Sequence, residues 1–517
     1  MNYREEHDAL GIVQVPEQEY YGAQTARAME NFAISNETTN QYPLYIHAVV
    51  QIKKAAARAH ADLGVLSPEI AGAIANAADE ILDGNLADQF PINVLQGGGG
   101  TSTNMNVNEV LANRANELLT GHKGSERVHP NDHVNMGQST NDVIPAAVKL
   151  MAWSCLEQLR QEAVHFSDCL GRKEQEFSST VKLGRTCLQD AMPITLGQEF
   201  SGYRALIDRC IDRIERVQPR CLELPLGGTA IGTGSGTYEG YTDKVAHYLS
   251  SQLGRTIIIE ENFFDALQNG DIYAEVLHAI KMLAVSVSKI ATDFRMLCSG
   301  PRAGLNEITL PAVQPGSSIM PGKINPVMPE LMNQICYEIC GNDAAVTMAV
   351  EGGELDLNVW EPLAVKKIAS SAGLLTGGLR LFAEKCVCGI TANVETCARY
   401  ARRSTAISSM ISAMFNYRTG TETARKAFPL WKMERPEGRM AKSFLTQEKT
   451  TLISTWFAAK CGSKSRPVRS HRAVMWGGEP NRWLSGDDVP GEWILFFCLC
   501  GRIFPLSRQG RGKKSSV

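Results

Sequence analysis

Between Asp271 and Leu297 apolar residues return at every third or fourth position: Ile272, Val276, Ile280, Leu283, Val287, Ile290, Phe294 and Leu297. That spacing averages about 3.6 residues, so it predicts a long helix with one apolar face. The stretches 44–62, 147–176 and 327–350 carry related patterns and also read as helices. Ser67-Pro68-Glu69 supplies an N-cap, a proline at N1 and an early acid, and Gly84 closes the run that follows. Strand signals are few and short. Long helices with one apolar face bury it against each other, so the chain reads as mainly α, with a helix bundle at its centre.

Glycine- and serine-rich loops at 97–104, 227–240 and 315–325 interrupt this pattern. Loops held on a rigid scaffold are where binding and catalysis concentrate. The chain has 517 residues, 44% of them hydrophobic and 21% charged, with a formal net charge of -3. Such a balance suits a large soluble protein of several domains and excludes a nucleic-acid-binding chain held by net positive charge. No apolar run is long enough to span a bilayer, and the first residues, MNYREEHDALG, lack the apolar core of a secretory signal, so a cytoplasmic protein is expected. The 14 cysteines show no paired C-x-x-C ligand spacing and read as reduced thiols rather than a metal set. From about residue 455 helical periodicity stops; Trp456, Trp476, Trp483 and Trp493 cluster there, and the chain ends RQGRGKKSSV. This tail reads as an atypical, poorly ordered terminus, with a basic partner-binding extension as the other reading.

Candidate chemistry lies in four segments. Gly316–Glu330, GSSIMPGKINPVMPE, sets Ser317 and Ser318 behind a glycine, followed by Lys323 and Asn325. A glycine- and serine-rich loop with one cation suits a lid closing on a small acid, although loop lysines are usually only solvated. Gly97–Glu109, GGGGTSTNMNVNE, offers Thr101, Ser102, Thr103 and Asn104 but no lysine to complete a phosphate loop. His129–Asp142, HPNDHVNMGQSTND, repeats the theme with Ser139, Thr140 and Asn141; Gly184–Tyr203 adds GRTCLQDAMPITLGQEFSGY. Each alone also fits a structural turn, and a lone His129 or Cys187 is usually structural. The 227–240 loop lacks G-x-G-x-x-G, which leaves a nicotinamide dehydrogenase unsupported. Together the segments offer many neutral donors, one lysine, no metal set and no cofactor box. That suits a dicarboxylate whose charge is held while a weakly acidic C–H bond breaks.

In this order the four segments resemble the fumarase/aspartase superfamily, whose loop G-S-S-x-x-P-x-K-x-N matches GSSIMPGKIN. The resemblance runs from about Arg4 to about Ala427 and includes YYGAQTARAMENF and EKCVCGITAN; FLTQEKTTLIS at 444–454 looks like a remnant of the C-terminal domain, while 428–443 and the residues after 455 do not match. It implies a three-domain, mainly α fold with a central long-helix bundle: 1–140, 141–393 and 394–454, followed by the 455–517 tail. It also implies a homotetramer whose sites draw on three chains, no required cofactor, and activation by a divalent metal in some members. LNEITLP, NPVMPE, NQICYEICGND and LDLNVWEP, with Glu361 before Pro362, resemble the aspartase branch.

That branch implies elimination of ammonia from L-aspartate to give fumarate. By the resemblance Ser317 is the base that takes the Cβ proton, through an enediolate-like intermediate. Thr101, Ser139, Thr140 and Ser318 donate to the β-carboxylate; Thr186, Lys323 and Asn325 hold the α-carboxylate; Asn141 meets the amino group. Cys187 is the departure. Fumarases carry a histidine there, paired with the glutamate matching Glu330, and use it to activate water. The cysteine argues against hydration of fumarate and leaves the acid for the leaving ammonia unassigned, with Cys187 and Glu330 as outer residues of the site. The alternatives are a class II fumarate hydratase and an inactive member of the fold with a binding role.

Overall fold

A computed structural model of the chain describes residues 2–404. The expectations for 405–454 and for the tryptophan-rich tail lie outside the described residues. The α-helices are α1 (Ala23–Asn31), α2 (Pro43–Asp62), α3 (Pro68–Leu82), α4 (Thr101–Thr120), α5 (Thr140–Glu176), α6 (Leu196–Val217), α7 (Tyr241–Leu253), α8 (Phe263–Gln268), α9 (Asp271–Leu297), α10 (Val327–Glu351), α11 (Glu361–Lys385) and α12 (Val394–Arg403). Strands come as short pairs: β1 (Tyr3–Asp8) with β2 (Gly11–Pro16), and β3 (Val181–Thr186) with β4 (Gln189–Thr195), both antiparallel; β5 (Glu223–Leu224) with β6 (Ile258–Ile259), parallel. Among the described residues no helix is long and apolar enough to cross a membrane.

The helix pattern places the core. All eight periodic residues of α9 are buried. This helix packs against α10 and α11, and rings tie further helices to it. Phe382 of α11 lies against Phe166 of α5 and Phe294 of α9, with centroids 5.6 and 5.9 Å apart, and Tyr203 of α6 meets Phe294 edge-on at 5.7 Å. Such ring pairs add about 0.5–1.5 kcal/mol each beyond area burial. A second group joins α2 to α3 and α7, and α4 to α1 and α3. Glu109 of α4 fixes the YYGAQTARAMENF segment: its carboxylate accepts the backbone N–H groups of Gly22, Gln24 and Thr25 and the Thr25 hydroxyl. These are orphan donors of the start of α1, satisfied by a buried anion at the positive end of the helix. A Cβ on Gly22 would lie 2.9 Å from that carboxyl carbon, which is why glycine stands there.

Two compact units divide the described residues. One holds residues 2–173 and Ser201–Thr391; the other holds Glu174–Phe200 and residues 392–404. In the second unit β3 and β4 form a hairpin whose two turn residues, Cys187 and Leu188, both have positive φ (52° and 59°) between the pair Thr186 and Gln189. This is the two-residue turn that matches strand twist, built here without glycine or asparagine, so no turn signal marks the hairpin along the chain. Arg185 stacks over Tyr400 of α12 in the same unit.

Two local expectations need correction. Ser67 sits at the N-cap of α3, but its side chain makes no capping bond among the described residues. Pro68 at N1 already supplies the fixed φ that opens the helix. Helix α5 begins at Thr140, not near 147, and carries Pro145 inside it. The proline removes one N–H, the donor for the Asn141 carbonyl, without ending the helix so close to its start.

Candidate active site

The loop Gly316–Asn325 folds back on itself. Gly316 N–H donates to the Lys323 carbonyl at 2.9 Å, and the Asn325 amide donates to the Gly316 carbonyl at 2.8 Å. The crossing requires glycine: a Cβ on Gly316 would meet the Lys323 oxygen at 2.4 Å and the Asn325 nitrogen at 2.7 Å. Within the turn the Ser317 Oγ accepts the N–H groups of Ile319 and Met320 at 3.3 and 3.1 Å. Ser317 and Lys323 line one cavity of about 680 Å³, together with Gln314, Pro321 and Ile324. Lys323 and Ser318 are exposed, and among the described residues no ion pair involves Lys323. Glu330 follows in the first turn of α10, half-buried.

A second cluster lies in the same unit. Gly100, with φ of +82°, precedes α4, and its Cα faces Ile144 of α5 so closely that a Cβ would sit 3.0 Å from that side chain. This approach brings Gly97–Asn104 beside the Ser139–Asn141 segment. The Asn104 amide reaches both the Asn135 oxygen and the Thr140 hydroxyl at 3.2 Å. Ser139 Oγ accepts from the Asn141 N–H at 3.2 Å, and the Asn141 Nδ2 donates to the Ala230 carbonyl at 2.7 Å. The amide is thereby oriented with its oxygen left as an acceptor. Thr101 is exposed, and its hydroxyl donates back to the Gly98 carbonyl at 2.8 Å.

Beneath this cluster lie two charged residues that sequence reasoning passed over. Asp142 is fully buried; its Oδ1 accepts the Ser139 N–H at 3.0 Å, and its Oδ2 accepts those of Gly227 and Thr229 at 3.1 Å each. Lys53 of α2 is fully buried as well and donates to Asn135 Oδ1 at 2.7 Å and Gln138 Oε1 at 3.0 Å. Burial pulls the Lys53 ammonium down to about 7, opposed by the Asp142 charge. Burial raises the Asp142 carboxyl, opposed by its three N–H donors and Lys53. The signal for Lys53 was available: Val49, Lys53, Ala56 and His60 share one buried helical stripe, where a charge has no place without a partner. Asp142, which lies before the expected start of its helix near 147, carried no such signal.

Thr186 and Cys187 belong to the second unit, both exposed at the end of the β3–β4 hairpin. The sequence-predicted residues thus fall into three groups: Thr101 with Ser139, Thr140 and Asn141; Ser317 with Ser318, Lys323 and Asn325; and Thr186 with Cys187. The side-chain bonds of the second group are internal to its loop. Among the described residues no group of three or more His, Cys, Asp or Glu side chains converges as a metal-binding set.

Comparison with known proteins adds the family context. A family model described as lyase matches residues 11–341. Aspartate ammonia-lyase of Helicobacter pylori is 44% identical over 425 residues, covering 82% of this chain and 91% of that protein. Aspartate ammonia-lyase of Bacillus subtilis is 44% identical over 427 residues, covering 82% and 89%. Among solved structures, a fumarate lyase:delta crystallin from Brucella melitensis bound to cobalt superposes with a TM-score of 0.79 at 44% identity, covering 83% of this chain and 93% of that one. A recombinant class II fumarase from Schistosoma mansoni gives 0.82 at 35% identity, covering 87% and 98%.

Proposed function

We propose a reaction from one premise: the chain belongs to the lyase family, within the fumarase/aspartase superfamily. The reaction is elimination of ammonia from L-aspartate to give fumarate. Relatives at 44% identity over most of the chain support it. The observation that carries the chemistry is the Ser317 turn, with two backbone N–H groups on Oγ and Lys323 lining the same cavity.

The Cβ proton of aspartate is weakly acidic because the adjacent carboxylate already carries charge. Removing it places a second negative charge there, as in an enediolate. Catalysis must hold that charge more tightly in the transition state than in the ground state. In this reading Ser317 takes the proton as an alkoxide, stabilised by the Ile319 and Met320 N–H groups and by Lys323. Thr101, Ser139, Thr140 and Ser318 donate to the β-carboxylate; Thr101 exchanges its Gly98 acceptor for substrate. Thr186, Lys323 and Asn325 hold the α-carboxylate. The Asn141 oxygen, left free by the bond to Ala230, accepts from the substrate ammonium. The C–N bond then breaks, ammonia leaves with the bonding electrons, and fumarate remains. In keeping with what the resemblance implies, we assign the complete site to a homotetramer in which different protomers supply the three groups. No cofactor enters the scheme.

The test follows fumarate by ultraviolet absorbance, from L-aspartate and separately from L-malate. Fumarate from aspartate alone is expected. Fumarate from malate alone would make this a fumarate hydratase despite Cys187, and silence on both with intact tetramer would favour an inactive member of the fold.

A further inference from the structure

We propose that Asp142 is a positioning residue for this reaction: its carboxylate ties the Ser139–Asn141 segment to the Gly227–Ala230 loop, and so fixes where the donors to the β-carboxylate stand. The proposal rests on the reading of Ser139, Thr140 and Asn141 as substrate contacts. Asp142 touches no substrate in that reading and acts through the backbone.

The geometry is that of a staple between two chain segments far apart in sequence. One carboxylate oxygen faces Ser139 N–H at 3.0 Å and the other faces Gly227 and Thr229 N–H at 3.1 Å each. An ionised carboxylate accepts on both oxygens and donates nothing, which is what three inward-pointing N–H groups require. The loop it holds is not at rest by itself: Thr229 has φ of +55° and Gly227 has φ of +100°. A β-branched residue in the left-handed region persists only when its surroundings over-determine it. The second tie, Asn141 Nδ2 to Ala230 O at 2.7 Å, runs between the same two segments and orients the amide proposed to meet the ammonium. From the other side Lys53 holds Asn135 and Gln138, so the segment is clamped at both ends by buried charge. Tyr241, whose buried hydroxyl has no hydrogen-bond partner among the described residues, feels the Asp142 charge without competing for its oxygens.

Asp142→Asn keeps the volume but replaces one acceptor with an NH2 donor. Whichever way the amide lies, donor faces donor on one side of the staple, so either Ser139 or the 227–229 loop is released. A misplacement on the order of 1 Å in a catalytic contact costs about a hundredfold in rate. The expected result for Asp142→Asn is therefore a kcat lower by about a hundredfold, with KM changed by less than about threefold because Lys323 and the α-carboxylate contacts are untouched. Wild-type melting temperature and assembly, measured alongside, separate this from general damage. Hydrogen exchange on the unmodified enzyme supplies an arm that needs no variant: the Gly227, Thr229 and Ser139 amides should exchange slowly, although 227 and 229 lie in an irregular loop. Asp142→Asn with kcat within about threefold of wild type would overturn the proposal, as would fast exchange of those amides in the wild-type enzyme. If wild type fails to turn over aspartate, the reaction assignment fails and the exchange arm alone decides the staple.

Discussion

At the scale of single residues, Ser317 and Lys323 make separable demands. A serine hydroxyl in water is far too weak a base for a carbon acid, so its role depends on the donors around Oγ. Those donors are backbone N–H groups of Ile319 and Met320 and survive substitution of the side chain. Ser317→Ala should therefore abolish turnover while leaving substrate affinity nearly intact, as read by steady-state kinetics and by calorimetric binding of aspartate. Retention of a tenth of wild-type kcat would remove serine from the role of base. Lys323 is a compact point charge on an exposed stem, with no ion pair among the described residues. Its energy is available to a carboxylate ligand, and most of it is expected in the ground-state complex. Lys323→Ala should raise KM by at least about tenfold, the loss of one charge-assisted hydrogen bond, with a smaller fall in kcat. An unchanged KM would show that the lysine faces solvent only.

At the scale of elements, what could be read in advance follows from which forces are local. The α9 stripe from Ile272 to Leu297 was legible because apolar periodicity alone sets which face is buried. The start of α5 was not legible, because Pro145 argues locally for a break, while the helix is continued through Thr140 by long-range contacts such as Asp142 with the 227–229 loop. The β3–β4 hairpin was hidden for a related reason: Cys187 and Leu188 adopt positive φ that their side chains disfavour. The loop residues Thr101, Ser139, Thr140, Asn141, Ser317 and Lys323 were legible by composition and order; of their supports, Lys53 was marked only as a charge within an apolar helical stripe, and Asp142 was not marked at all. Helix α11 presents a further case that only packing reveals. Its first residue, Glu361, is buried near Tyr45 of α2 and Tyr273 of α9, with one carboxyl oxygen lacking a hydrogen-bond partner among the described residues, and burial pushes its carboxyl up to about 8. An acid whose folded value exceeds its unfolded one binds protons more tightly when folded. Its penalty is absent below the unfolded value near 4.5, grows as pH rises, and is complete above about 8. That difference in proton affinity corresponds to several kcal/mol, at roughly 1.4 kcal/mol for each factor of ten. Glu361→Gln removes the titration, so thermal melts should show wild type losing stability between about pH 5 and pH 8 relative to the variant. Parallel melting curves across that range would mean the carboxyl is solvated.

At the scale of the whole molecule, the proposal that one site draws on several chains makes a demand on assembly. Ser317 and Asn325 make their side-chain bonds within their own loop, while Thr140 and Asn141 bond to the α4 side and to Ala230. If different protomers supply the Ser317 loop and the Thr140 segment to one site, two inactive variants can repair each other. Ser317→Ala spoils one contribution and Thr140→Ala spoils the other. A mixed oligomer then contains some sites that receive an intact Ser317 from one chain and an intact Thr140 from another. With random mixing at equal amounts each contribution is intact half the time, so about a quarter of wild-type activity should return on co-expression. If both groups came from one chain, every site would carry one defect and co-expression would restore nothing. Sedimentation of the mixed preparation must show tetramer for the comparison to count; a monomer that turns over aspartate would instead require all three groups to meet within a single chain.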